Sequence, residues 1–141
     1  MSDTYTPTGV GITVASLLSA RGVKPTQQRI DIASILLARP QHLSAEEILS
    51  AVNRQGHSVS KATVYNTLNL FVRKGLVREV NVDPARLYYD SNTSPHFHIY
   101  NVDTGELTDL DPKDIELHLG SQLPHGTELV DTEVVFRVRR R

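Results

Sequence analysis

Residues 58–74 read SVSKATVYNTLNLFVRK, and this stretch decides the fold. At 3.6 residues per turn, Val64, Leu68 and Phe71 share one face of a helix. Ala62, Tyr65, Asn66, Asn69 and Arg73 share the other. The first face seats the helix on a core. The second carries a methyl, a phenol, two carboxamides and a guanidinium. These are groups that read a DNA major groove: carboxamide to adenine, methyl to thymine, guanidinium to guanine or phosphate. An ordinary surface helix with a solvated face fits the same pattern, so the residues that follow decide between the two. Gly75 ends the helix. Residues 76–82 (LVREVNV), the turn DPA and residues 86–90 (RLYYD) then predict a hairpin. A helix followed by a two-stranded hairpin is the end of a winged helix-turn-helix, whose default partner is DNA.

The upstream chain completes that unit. Residues 1–10 are polar, with Pro7 and Gly9, and are expected to fray. Residues 12–20 (ITVASLLSA) predict a short helix ending at Arg21-Gly22. Thr26 can cap a second helix over residues 27–38. Its apolar residues (Ile30, Ile32, Ala33, Ile35, Leu36 and Leu37) cover more than half its circumference, as in a helix packed on several sides. Pro40 stops it. Ser44-Ala-Glu-Glu47 is a capping box that opens a third helix, running to about Arg54. Residues 56–59 turn into the helix quoted above.

Downstream, Pro84 sits in the wing's turn, where its missing N–H costs nothing. Residues 91–95 (SNTSP) are a polar hinge, which divides the chain into a DNA-binding domain over 1–91 and a second domain over 92–141. The second domain opens on the strand pattern HFHIYNV from His96. Asp103-Thr-Gly105 predicts a tight turn, and residues 106–110 a second strand. Asp111 and Pro112 open a helix to about Leu119, ended by Gly120. A long strand is expected over residues 128–139. The fold class is therefore α+β: an N-terminal winged helix-turn-helix followed by a small α/β dimerisation domain. About fifty residues bury little alone, so the second domain is expected to pair with another copy.

Composition narrows the function. No apolar run among the 141 residues nears the ~20 needed for a membrane span. The N-terminus lacks the basic and apolar regions of a signal peptide, so a cytoplasmic protein is expected. The absence of cysteine excludes disulfides, thiolate zinc sites and cysteine catalysis. The net charge of −1 hides an asymmetry. Residues 1–82 hold nine Lys/Arg against five Asp/Glu, a net of +4; residues 83–141 hold six against eleven, a net of −5. A basic front and an acidic rear suit a DNA-binding domain joined to a metal- or effector-binding one.

The second domain carries the candidate chemistry. His96 and His98 lie two apart on a strand, so both imidazoles leave one face, ~6.6 Å apart at the backbone. Asp90 precedes them and Asp109 follows on the next strand. His42 is expected at the start of the third helix. Imidazoles and carboxylates without thiolate favour Fe(II), Mn(II) or Zn(II). Two rival readings use the same residues. One is a metalloenzyme with an open coordination position, although no nucleophile or general-base motif accompanies the set. The other is a metal-independent winged-helix repressor. His118 is expected on an exposed helix face, and His57 and His125 in turns.

The runs GVKPTQQR (22–29), HLSAEEI (42–48), SKATVYNTLNLF (60–71) and GLV (75–77), then the H-x-H at 96–98, resemble the ferric uptake regulator (Fur) family in order and spacing over nearly the whole chain. Within it the chain is similar to the iron response regulator (Irr) class, through YDSNTSPHFH (89–98), the lack of cysteine and the closing VVFRVRRR (134–141). The resemblance implies a homodimeric regulator of iron- and haem-related genes that binds a palindromic operator on double-stranded DNA. It implies a hinge metal site holding Fe(II) or Mn(II), with Zn(II) as a surrogate. His42, His96, His98 and Asp109 match that site's ligands. The family's glutamate ahead of H-x-H is replaced: Asp90 is nearest in chemistry but displaced by one residue, and Tyr89 holds the ungapped position. The family's cysteine zinc site cannot exist here. Its third site is broken, because Pro95 and Phe97 stand where His and Asp are usual, although Glu116 remains; one metal site per chain is expected. Lys24, Tyr65 and the surrounding helix face match the DNA contacts, with Asn66 where many members have Arg. The Irr class is linked to haem near the H-x-H. Two same-face imidazoles cannot take opposite axial positions on one haem iron, so one histidine would supply a single axial ligand.

Overall fold

The computed structural model describes residues 13–141, which group into two compact units divided between Ser94 and Pro95.

The first unit is a winged helix-turn-helix. Helix α1, Val14–Ala20, starts at the Thr13 side chain, which accepts from the Ser16 amide. The expected start at Ile12 lies outside the described residues. Helix α2, Gln27–Leu36, is capped by Thr26 and buries Asp31, Ile32, Ala33 and Leu36. It ends two residues short of the expected Ala38. There the Gln41 carboxamide donates to the Ile35 and Leu36 carbonyls at 2.8 and 3.1 Å, satisfying acceptors that a helix end leaves open.

A two-residue strand β1, His42–Leu43, precedes helix α3, Ala45–Arg54. The capping box is formed as the sequence requires. The Glu47 amide donates to Ser44 Oγ at 3.1 Å, and the Ser44 amide donates to Glu47 Oε1 at 2.9 Å. Helix α4, Lys61–Arg73, is capped by Ser60. Val64, Leu68 and Phe71 are fully buried against Leu18, Ile32, Leu36, Ile48 and Val52. Its far end is sealed from α1: the Arg21 guanidinium donates to the Lys74 and Gly75 carbonyls at 3.4 and 3.0 Å. Gly75 adopts φ +74, a left-handed conformation that ends the helix without a Cβ penalty.

Strands β2, Arg78–Asp83, and β3, Arg86–Asp90, form the wing as an antiparallel pair. Asp83 closes its turn by accepting from the Ala85 amide at 2.8 Å. Strand β1 adds to β3 antiparallel, giving the order β1-β3-β2.

The second unit is built on β4, Phe97–Asn101. Strand β5, Leu107–Leu110, pairs with it antiparallel and β6, Val135–Val138, pairs with it parallel, in the order β5-β4-β6. The β4–β5 turn uses Asn101, whose side chain accepts from the Asp103 and Thr104 amides, and Gly105 at φ +78.

Two elements differ from the expectation. The helix over 111–119 is a single 3-10 turn, Pro112–Asp114, and Ile115 is already extended. Its capping signal is real, since Asp111 accepts from the Lys113 amide at 2.9 Å. Nine residues are too few to hold a helix without packing, however, and Leu117 and Leu119 are exposed. The strand expected over 128–139 is confined to the four residues that pair with β4. No helix among the described residues is long and apolar enough to cross a membrane.

Candidate metal centre and DNA-binding face

The first unit brings His42 and Asp90 together. They face each other across the β1–β3 ladder, with His42 Nε2 3.3 Å from Asp90 Oδ2. Asp90 is buried, and its other oxygen accepts from the Asn92 amide at 2.8 Å. His42 thus projects from a strand rather than from the start of a helix as expected. The strand explains the pairing: the two-residue β1, added to the wing sheet, sets the imidazole opposite the carboxylate.

Strand alternation sets Asp90 and Tyr89 apart. Neighbouring residues of a strand point to opposite faces. Tyr89 is buried in the hydrophobic core, where burial pushes its phenol up to about 12. A phenol so far from ionising is a poor cation ligand at neutral pH. Asp90 takes the opposite face, beside His42.

The second unit brings His96 and His98 together with Asp109. His98 sits opposite Asp109 in the β4–β5 register. His96 Nε2 and His98 Nε2 approach the same oxygen, Asp109 Oδ1, at 3.5 and 3.6 Å. The rings meet edge to face with centroids 4.6 Å apart. Both imidazoles are buried, whereas Asp109 is half exposed. One ligand atom from each of the three lies within 4.8 Å of the others. Two nitrogens and one carboxylate converging at such distances are the donor set of a first-row divalent cation.

Sequence reading missed the residues that hold the first half in place. Ser91 is buried. Its hydroxyl donates to the Arg39 carbonyl at 2.9 Å and accepts from the Gln41 amide at 3.0 Å, while its own amide donates to the Gln41 carbonyl at 3.1 Å. These bonds fix residues 39–41, and so the entry into His42. Only its place directly after Asp90 could have drawn attention to Ser91. Ser91→Ala should lower stability by about 1–3 kcal/mol, the cost of buried polar groups losing their partner. Urea unfolding followed by circular dichroism measures this.

The other histidines lie elsewhere. His118 is exposed, outside any helix, 3.0 Å from Glu116. His57 lies in the turn before α4, 3.3 Å from the buried Asp31, and His125 is exposed in a turn.

Of the residues expected to meet DNA, Ala62, Asn66, Asn69 and Arg73 are all exposed along one side of α4. Tyr65 is half-buried on the same helix, and Lys24 is exposed in the α1–α2 connector.

A winged helix-turn-helix followed by a small β-rich unit with a His/Asp set defines a DNA-binding regulator with a sensing domain. Comparison with known proteins agrees. The chain matches the ferric uptake regulator family over residues 20–137. It is 35% identical over 129 residues to the ferric uptake regulation protein of Pseudomonas putida, covering 89% of this chain and 96% of that one. It is similar to the solved structure of the ferric uptake regulator from Pseudomonas aeruginosa with manganese, at TM-score 0.72 and 32% identity over 92% of this chain and 99% of that one. It also resembles the ferric uptake regulator from Francisella tularensis with iron, at TM-score 0.69 and 25% identity over 85% and 93% of the two chains. The chain belongs to the ferric uptake regulator family, whose members are transcription regulators and not enzymes. The metalloenzyme reading of the His/Asp set is thereby overturned.

Proposed function

We propose that this protein is a metal-responsive transcriptional regulator that binds a palindromic operator as a homodimer. The observation that carries the proposal is the His/Asp set in the second unit: two buried imidazoles aimed at one carboxylate oxygen. Two imidazole nitrogens and a carboxylate oxygen converging on one point are the donor types a first-row divalent cation takes.

His96, His98 and Asp109 would hold one cation together with His42 and Asp90 of the first unit. His96 lies six positions after Asp90, at most about 20 Å of extended chain, so the connector allows both groups to share one ion. The donor set fits Fe(II) or Mn(II), with Zn(II) as a surrogate. The manganese and iron in the two related structures support that choice. A bound divalent cation would supply bonds to both units at once. Held from both sides, such an ion would let the five residues restrict the angle between the units, favouring one of several arrangements.

DNA would be read by α4 through Ala62, Tyr65, Asn66, Asn69 and Arg73, with Lys24 on the backbone. In a dimer the two copies of α4 would meet half-sites about one duplex turn apart, about 34–36 Å. Exposed Leu129, Val130 and Phe136 in the second unit are apolar surface of the kind a partner copy covers. A regulator of this kind works in the cytoplasm, where the DNA is.

Within the family we place the protein in the iron response regulator class, controlling iron- and haem-related genes, on the absence of cysteine and the run YDSNTSPHFH. The paired imidazoles on one carboxylate favour a bare cation over haem. A Soret titration without a saturable, His98-dependent complex would remove haem.

The deciding experiment is fluorescence anisotropy of a labelled palindromic duplex with chelator, with Mn(II) or Fe(II), and with haem. A change in affinity of tenfold or more on adding metal is expected. Binding indifferent to chelator would instead establish a metal-independent repressor.

A further inference from the structure

Helix α3 opens with two adjacent glutamates, and they do different work. Glu47 closes the capping box on Ser44. Glu46 takes no part in it. Its carboxylate reaches across to α4 and accepts the hydroxyl hydrogen of Tyr65 at 2.6 Å. That is a short, charge-assisted bond between two helices, joining residues nineteen positions apart. Lys61 Nζ stands 5.9 Å from the centre of the Tyr65 ring, a cation–π contact that helps fix the plane. The ring also packs against the core. Tyr65 is therefore held at its base, its face and its tip.

The tip decides what the side chain can say to DNA. A phenol has one donor and acceptor lone pairs. The hydrogen bond to Tyr65 holds the Glu46 carboxyl below its usual range, and the same bond pushes the Tyr65 phenol up. At neutral pH the glutamate is ionised and the phenol keeps its proton, so the direction of the bond is fixed. The donor is spent inside the protein, and outward the oxygen can only accept. In the major groove the donors are the amino groups of adenine and cytosine; guanine N7 and O6, thymine O4 and every phosphate oxygen offer only acceptors. A carboxylate near a DNA-facing phenol also opposes phosphate electrostatically, so raw affinity cannot be its use.

We propose that Glu46 is a specificity-determining residue: by taking the Tyr65 proton it makes the phenol an acceptor-only reader of a base amino group. It need not touch DNA and acts through Tyr65. This rests on the DNA-binding role given to α4 above, and the test separates the two.

The full chain with Mn(II) is used to select duplexes from a random library. Every base of the selected site is then varied, and anisotropy gives an affinity for each variant. Tyr65→Phe should lose discrimination at one position per half-site. If no duplex is selected, or if Tyr65→Phe leaves the profile unchanged, the reading of Tyr65 as a DNA contact fails. Glu46→Ala frees the phenol to donate. It should flatten preference at the same position by roughly fivefold or more. Glu46→Gln keeps an acceptor oxygen while removing the charge; it should keep the preference and tighten binding to all sequences alike. The double variant Glu46→Ala/Tyr65→Phe should be no less selective than Tyr65→Phe alone. If Tyr65→Phe loses discrimination but Glu46→Ala changes all affinities equally, Glu46 is a surface charge and the inference falls while the DNA reading stands.

Discussion

In the His98→Ala variant, metal affinity should fall by ~100-fold or more, and metal-dependent operator binding should go with it. Removing a group that merely orients a ligand costs about 10–100-fold, so removing a donor sets that range as a floor. His98 is singled out because its position is the most constrained of the set. It lies within β4, between β5 and β6, opposite Asp109 and buried. His96 precedes the strand and has more freedom to adjust. The residual affinity would rest on the remaining donors of the proposed set. A competition titration against a chelator of known affinity measures the first effect, and operator anisotropy with and without Mn(II) the second. His98→Gln guards against a collapsed β4, because it keeps volume and polarity at the buried position. Metal affinity within threefold of wild type in both variants would make the imidazole a structural group, and the metal-responsive reading would fall.

What the sequence showed of this site follows from how far each signal reaches. His96 and His98 are a local signal, since a two-residue spacing on a strand needs no tertiary knowledge. Pairing Asp109 with His98 needed only the turn at Asp103–Gly105, which fixes the β4–β5 register. The capping box at Ser44 and the buried stripe of α4 were legible for the same reason. Strand β1 was not. Two residues have no period, and β1 exists because β3, more than forty residues later, offers an edge. Ser91, Gln41 and Arg21 act through backbone groups of distant segments, which no spacing reveals. The bond between Tyr65 and Glu46 joins a half-buried residue to an exposed one on another helix, a link that amphipathic patterning does not reveal. The expected helix after Asp111 failed from the other side. Its cap was correct, but Ile115, Leu117 and Leu119 alternate at period two, and no buried face is available to outweigh that pattern.

Phe71→Ala should cost about 3–5 kcal/mol, the range for deleting a buried aromatic ring. The ring is fully buried in the core, where α1, α2 and α3 contribute Leu18, Ile32, Leu36 and Ile48. Domains of this size are stable by only about 5–15 kcal/mol, so the loss is a large share of the total. It should appear as a lower urea midpoint, with operator binding lost in proportion to the fraction unfolded. Asn69→Ala, two residues earlier on the same helix, should do the reverse. Asn69 is exposed, so stability should stay within about 0.5 kcal/mol. Operator affinity should nevertheless fall by about tenfold, as for one base contact of 1–3 kcal/mol. The two variants divide α4 along the line its sequence draws, with one face accountable for the fold and the other for the reading. If Asn69→Ala leaves every duplex bound as before, the groove is met by another part of the helix, although the packing role of Phe71 would be untouched.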